Sequence, residues 1–405
     1  MTETDLAETL QPTALATLLE SARKPPQLAP YRGVLTPRYL DSPEREMTAM
    51  VSEAAIHDLA WLRRVAVRGE DRFRWLSGMV TNTVNDLFPN SGAWNLVLNA
   101  QGRVQGDLTV WRGSQEVVQP KRKSNLPNSN GDRLLGTPFA GESGLELEIA
   151  ADQFDKLVGH LNQFIIMDDV ELVPMGTEAS GEAGAETVIG LTGPMADEVL
   201  DRLSLPYLSQ PMSGLNVEWN GFGLRIVRGY GVLAPRYELW LPTAGLPLLW
   251  SALSTAGATR AGFEAVNAYR IVEAVPLFGV DMTDRDLPQE TAQMRALHFN
   301  KGCYLGQEIV ERIRSRGNVH RHLRPLELTG PAPPAGTALK LEDGSEAGLL
   351  TSAAELQLPG EARVFALGMV RAEAEAKEQL FTYAAGDAAG SASILTAPPN
   401  LRRKR

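Results

Sequence analysis

Two stretches of this chain follow one plan. "VAVRGEDRFRWL" starts at Val65 and "VIGLTGPMADEVLDRL" at Val188. Each has an apolar run, a glycine, and then apolar residues at helical spacing. Gly69 and Gly193 precede Leu76 and Leu200 by the same seven positions. Phe73, Leu76 and Val80 fall at i, i+3 and i+7, and Ala196, Val199, Leu200 and Leu203 form a second stripe. That spacing predicts a helix after each glycine. A strand–glycine–helix unit used twice predicts two related α+β units. At 405 residues the chain is too long for one ordinary core, so two or three domains are expected.

The rest of the pattern fills in around these units. "AWNLVLNAQGRVQGDLTVWR" places two apolar runs about "NAQG", a hairpin signal, with Trp94, Leu96 and Leu98 opposite Val104, Leu108 and Val110. Phe154, Leu157, Val158 and Leu161 predict an amphipathic helix. "FEAVNAYRIVEAVPLFG" reads as a helix ended by Pro276, with Arg270 and Glu273 as surface neighbours. Beyond Arg321, "LRPLEL", "TALKLE", "GLLTS", "FALGMVR" and "SASIL" are short strand-like runs between Gly and Pro. They predict a C-terminal antiparallel β-barrel. Residues 1–30 read as a peripheral arm, 31–320 as the α+β region, 321–400 as the barrel and 401–405 as a basic tail. Residues 113–144 read as a long surface insertion and 176–186 as a second flexible loop.

Charge narrows the functional classes. The formal net charge is −10, against the basic surface that bulk nucleic-acid binding requires. A local basic pocket for an anionic small molecule is compatible with it. The start, "MTETDLAETL", lacks a basic n-region and an apolar h-region. No apolar run approaches the ~18 residues of a membrane span. A cytoplasmic protein without membrane contact is expected. The single cysteine excludes an intrachain disulfide and a multi-thiolate metal site. His320 and His322 are the only histidines close in sequence, and "HRH" reads as a polar loop or strand start. No permanently bound metal is expected.

That cysteine lies in "KGCYLGQE", Lys301 to Glu308. Upstream, Pro288 suits the first turn of a helix, Glu290 its positive end, and Asn300 and Gly302 its stop. A second helix is predicted from near Gly306 to Gly317, with Ile309, Val310 and Ile313 inward. Cys303 then sits in a tight connection just before a helix N-terminus. Unpaired N–H groups and Lys301 favour a thiolate there, and Glu308 and Glu311 oppose it. The plain alternative is a small packed residue with glycines that merely turn the chain.

"KGCYLGQE" resembles the K-G-C-Y-x-G-Q-E signature of the YgfZ family. That family sits in the superfamily of the glycine-cleavage aminomethyltransferase, the T-protein. "YRGVLTPR", "VAVRGEDRFRWLSGMVTNTVNDL", "NAQGRVQGDL", "YRIVEAVPLFGVDM" and "LPQETAQMRALHFNKGCYLGQEIVERI" match its pattern in order, from about Tyr31 onward. The resemblance implies an α+β, aminomethyltransferase-like (GcvT-like) cloverleaf: two interleaved α+β domains plus a C-terminal antiparallel β-barrel. It implies binding of tetrahydrofolate or a one-carbon derivative, and assistance in maturing or repairing [4Fe–4S] enzymes. Partners would be folate and, transiently, iron–sulfur client enzymes or assembly proteins; a monomer is expected. The signature cysteine falls on Cys303, a reactive thiol beside Lys301, with Tyr304, Gln307 and Glu308 lining the folate.

A pterin needs an acid or amide for its N–H groups, apolar or aromatic walls, and cations for its glutamate tail. Asp107, Glu273 and Asp281 are the candidate acids, and Arg228, Arg270 and Arg312 the candidate cations. The alternative for each charge is a surface residue or a structural ion pair. Three departures separate the chain from the aminomethyltransferase pattern. Gly106-Asp107 replaces paired aspartates, Gly229–Leu233 lacks the glutamate of G-Y-T-G-E, and "RIVEA" shifts Glu273 by one position. These departures speak against aminomethyl turnover. That activity stays as the alternative, together with a non-catalytic folate sensor.

Overall fold

A computed structural model describes residues 10–113, 117–118, 144–176, 185–317, 319–377, 380–386 and 388–401. Most of the surface insertion, most of the second loop and most of the basic tail lie outside these residues. The chain divides into two compact units. The first comprises Met1–Trp75, Val84–Ala93 and Leu108–Phe263; the second comprises Leu76–Thr83, Trp94–Asp107 and Glu264–Arg405. The chain passes between the units several times, so neither is one continuous segment.

The first unit is built on a mostly antiparallel sheet. Its strands lie in the order Thr259–Ala261, Ala55–Asp58, Glu186–Thr192, Arg236–Pro242, Phe222–Arg228 and Ser213–Trp219, then the strand segments 91–93 and 108–112, followed by Leu145–Ala150, Leu62–Arg68 and Glu171–Pro174. Both copies of the repeat form as expected: a strand, a glycine, and the helices Arg72–Met79 and Ala196–Arg202. The glycines have one cause. Gly69 has φ +98° and Gly193 φ +136°. A Cβ at Gly69 would sit 1.9 Å from the Asp169 carbonyl oxygen, and one at Gly193 2.4 Å from that of Glu53. Only glycine combines that backbone with that approach.

The N-terminal segment corrects the reading of a peripheral arm. Helix Ala14–Glu20 puts Leu15 and Ala16 at full burial, and Leu15 joins the large core with Ile56, Leu191 and Leu239. Thr13 caps that helix by accepting from the Ala16 N–H at 3.1 Å and donates to the buried Asp58 carboxylate. Thr36 donates to the same oxygen at 2.7 Å. One buried acid thus ties the segment to the sheet. The helix already ends at Glu20, ahead of Pro25 and Pro26, and its apolar face finds a partner.

The interior of this unit also holds charge. Arg64 pairs with Glu146 and Glu186, each at 2.9 Å, and Arg225 pairs with Glu146 at 2.6 Å. The guanidiniums lie 5.4 Å from the rings of Trp240 and Trp111. Burial makes these pairs costly to break singly.

The second unit contains the barrel. Strands Arg321–Thr329, Glu361–Arg371, Glu346–Leu358, Ala338–Lys340, Leu380–Ala385 and Ala388–Ile394 pair antiparallel in that order, and the last closes on the first. The mixed α+β class and the closed barrel are therefore as expected. Helix Ala372–Lys377 and strand Leu380–Ala385 were absent from the sequence reading. The expected helix over 288–300 does not form. Thr291 donates back to the Pro288 carbonyl at 2.7 Å, Ala292 turns left-handed at φ +55°, and only Met294–Ala296 makes a 3₁₀ turn. The barrel competes for this backbone, because Leu323 N–H donates to the Glu290 carbonyl at 2.7 Å. Among the described residues no helix is long and apolar enough to cross a membrane.

Candidate functional site

Two motifs far apart in sequence form one structure within the second unit. "NAQG" makes the hairpin tip. The Asn99 side chain accepts from the Gln101 and Arg103 N–H groups at 3.0 and 2.9 Å, and Gly102 turns at φ +70°. Gly306 ends the signature loop at φ +79°, immediately before helix Gln307–Arg316. A Cβ on Gly306 would lie 2.5 Å from the Asn99 carbonyl oxygen and 3.0 Å from the Gly102 Cα. A Cβ on Gly102 would lie 2.8 Å from the Ile309 Cβ. Both glycines are there so that the hairpin tip and the loop can touch.

The helix begins where the spacing predicted, and Cys303 sits in the connection before it. Tyr304 is buried with Leu96, Leu98, Val104, Met282 and Val310. Its N–H donates to Gln307 Oε1 at 3.3 Å. Burial, helped by the charge of Glu311, pushes the Tyr304 phenol up to about 12. Leu305 N–H donates to the Gly78 carbonyl at 2.9 Å. Cys303 itself is exposed, so the packed-residue alternative does not describe it. The Lys301 ammonium is engaged by the backbone. Its Nζ donates to the carbonyls of Val80 and Asn82 at 2.7 and 2.6 Å and lies 5.3 Å from the Tyr304 ring centre. Burial pulls this ammonium down to about 8.

Asp107 stands in a second cluster of the same unit. Trp94 Nε1 donates to Asp107 Oδ2 at 2.9 Å, and the Arg295 guanidinium lies 4.8 Å from the Trp94 ring centre. Asn82 holds the backbone of both Trp94 and Arg295. Its amide nitrogen donates to the carbonyls of Trp94 at 3.0 Å and Arg295 at 2.8 Å, and its N–H donates to Asn95 Oδ1 at 2.6 Å. Asp107, Trp94 and Arg295 are all partly exposed. A carboxylate, an indole and a stacked guanidinium on one face suit a flat heterocycle that donates hydrogen bonds. Sequence reasoning found Asp107 but missed Asn82 and Arg295, and it read Trp94 only as a strand residue. Alternation gave no signal for this pair, because it sets Trp94 opposite Leu108 rather than Asp107.

Among the other charged candidates, Arg270, Asp281 and Arg228 have protein partners. Arg270 pairs with Asp281 and donates to Ser352 at 2.9 Å and Asn267 at 2.9 Å. Asp281 accepts from Thr351 and Ser352, each at 2.6 Å, and from the Leu277 N–H at 3.0 Å. This ion pair ties helix Phe263–Val272 to the barrel strand Glu346–Leu358. Glu273 is buried just past the end of the helix. Glu308 and Arg312 are exposed on helix Gln307–Arg316. Arg228 is in the first unit, where it donates to the Leu208 carbonyl and lies 5.8 Å from the Tyr237 ring centre. Within the second unit the structure thus gathers Lys301, Tyr304 and Gln307 around the signature loop, and pairs Arg270 with Asp281.

A family model for the GCVT N-terminal domain matches residues 26–120. An aminomethyltransferase of Geobacillus kaustophilus is 25% identical over 348 residues, 84% of this chain and 85% of that one. A chloroplastic Arabidopsis thaliana protein, named only provisionally as a transferase, is 22% identical over 315 residues; these are 77% of this chain but 64% of that one. The crystal structure of the glycine cleavage system aminomethyltransferase T from Bartonella henselae superposes with a TM-score of 0.77 over 98% of this chain and 100% of that chain. At 18% identity that match speaks for the fold alone. Together these likenesses support the GcvT-like superfamily.

Proposed function

We propose that this protein binds tetrahydrofolate or a one-carbon derivative and works as a folate-dependent, transferase-like protein. The carrying observation is the Trp94–Asp107–Arg295 cluster. Asp107 would accept from the pterin N–H groups, and Trp94 with its stacked Arg295 would face the ring. When bound, the folate supplies the nitrogen that carries a one-carbon unit. The protein's part is to hold that ring and orient it. The aminomethyltransferase relatives support this reading. Titrating 5-formyltetrahydrofolate against intrinsic tryptophan fluorescence tests it. Asp107→Asn is expected to weaken binding by about ten-fold, since a charge-assisted hydrogen bond is worth roughly 1.5–3 kcal/mol. Equal affinity of wild type and variant, or none in either, would remove the reading.

A second reading is favoured by one observation: the sole cysteine is exposed on the signature loop. In it, the folate-binding protein assists maturation or repair of [4Fe–4S] enzymes, with Cys303 as the reactive thiol. A lone thiol makes mixed disulfides or transient cluster contacts but does not hold a cluster by itself. Two assays separate the readings. In a deletion strain, a [4Fe–4S] tRNA-methylthiolating enzyme is assayed after rescue with wild type or Cys303→Ser. In vitro, aminomethyl transfer to folate is followed for the same two proteins. Rescue by wild type alone supports the thiol; turnover that survives Cys303→Ser supports the transferase.

A further inference from the structure

We infer that Lys301 is a positioning residue that couples the Trp94–Asp107 cluster to the loop bearing Cys303. The inference rests on the folate reading of that cluster and adds a residue role to it. The contacts form an unbroken chain within the second unit. Lys301 Nζ donates to the Asn82 carbonyl at 2.6 Å, Asn82 Nδ2 donates to the Trp94 carbonyl at 3.0 Å, and Trp94 Nε1 donates to Asp107 Oδ2 at 2.9 Å. Asn82 Nδ2 also donates to the Arg295 carbonyl at 2.8 Å. The residue that accepts from Lys301 is therefore the one that holds both Trp94, the partner of Asp107, and Arg295, which lies over the Trp94 ring.

At its other end, Lys301 is two residues from Cys303. Gly302 lies between them, exposed, and a Cβ there would meet nothing within 4 Å. The loop is thus held at its ends, by Lys301 on one side and by buried Tyr304 on the other. The ammonium also lies over the Tyr304 ring, so both anchors of Cys303 meet at Lys301. The two carbonyl bonds are charge-assisted, short and mostly out of water, which makes them stiffer than an exposed contact. A shift of Asn82 that follows ligand binding must move Lys301 or break one of them. A lysine that only filled space would need neither bond.

The single cysteine makes the test clean, because alkylation of this chain by N-ethylmaleimide reads one site. Its rate is measured with and without 5-formyltetrahydrofolate, at concentrations that saturate each protein as judged by tryptophan fluorescence. In wild type the ligand is expected to change the rate by about five-fold, the low end of ordinary coupling between sites. In Lys301→Met the ligand effect is expected to vanish, and in Lys301→Arg to return in part. Should Lys301→Met fail to fold by circular dichroism, Asn82→Ala and Lys301→Arg carry the same comparison. A ligand that binds wild type without changing the rate overturns the coupling and leaves the folate reading intact. So does a ligand effect that persists in Lys301→Met, because the ligand would then be shielding the thiol directly. Absence of binding in wild type overturns the folate reading and the coupling with it.

Discussion

Replacing Gly306 by alanine, beside the same change at Gly302, isolates what the signature loop demands. Gly306 has φ +79°, a conformation that costs an L-residue roughly 1–2 kcal/mol. Its new Cβ would also sit 2.5 Å from the Asn99 carbonyl oxygen and 3.0 Å from the Gly102 Cα, both backbone atoms that no rotamer change can move. Relieving such an overlap costs about 1–3 kcal/mol. The sum is about 2–5 kcal/mol. For a unit of this size each kcal/mol lowers the melting midpoint by roughly 2–4 °C, so a fall of at least about 4 °C is expected. Gly302 has no positive φ and no neighbour within 4 Å of a Cβ. Gly302→Ala should stay within about 0.5 kcal/mol, as surface changes do. Differential scanning fluorimetry gives the midpoints, and N-ethylmaleimide alkylation of Cys303 reports the loop. Equal midpoints for the two variants would refute the claim that the hairpin tip and the loop dock through Gly306.

Two further outcomes are expected. Asp281→Asn leaves the buried Arg270 without its counter-charge and should cost about 3–5 kcal/mol in urea denaturation; weaker folate binding with an unchanged urea midpoint would overturn the ion-pair assignment. Burial and the neighbouring Glu238 hold the Glu148 carboxyl well above its ordinary value, so the folded chain binds a proton there that the unfolded chain releases above roughly pH 4.3. That stability is complete at low pH and lost as pH rises through the raised folded value; Glu148→Gln should flatten this fall in melting midpoint, and parallel pH profiles would sink the assignment.

Much of the fold was legible because it is written in periodicity and glycine. Gly69 and Gly193 announced their turns, the apolar runs after Arg321 announced the barrel, and Gly306 marked the start of helix Gln307–Arg316. What failed to show was tertiary competition. "LPQETAQMRAL" has the composition of a helix, but Leu323 takes the Glu290 carbonyl, and Arg321 pairs with Asp286 at 2.6 Å and Glu290 at 3.2 Å. Local propensity cannot see a strand that begins 31 residues on. Leu15 looked peripheral because its segment is short and followed by two prolines. Its burial depends on a core assembled from strands as distant as Arg236–Pro242.

The candidate site shows the same limit in charge. A sequence displays charged residues but not their partners. Arg270 and Asp281 both looked fit for a ligand, and each proved to be the other's partner, locked further by Thr351 and Ser352. Lys301 looked like an activator of the adjacent thiol, and its ammonium is engaged by two backbone carbonyls instead. A buried charge must find compensation, and the protein usually supplies it. Function is therefore better sought where polar groups keep contact with solvent after the ion pairs have formed. In the second unit that criterion selects Asp107 with Trp94 and Arg295, and Cys303 on its loop. Lys301 and Asn82, engaged by protein on every contact named, are the parts that hold those two in register.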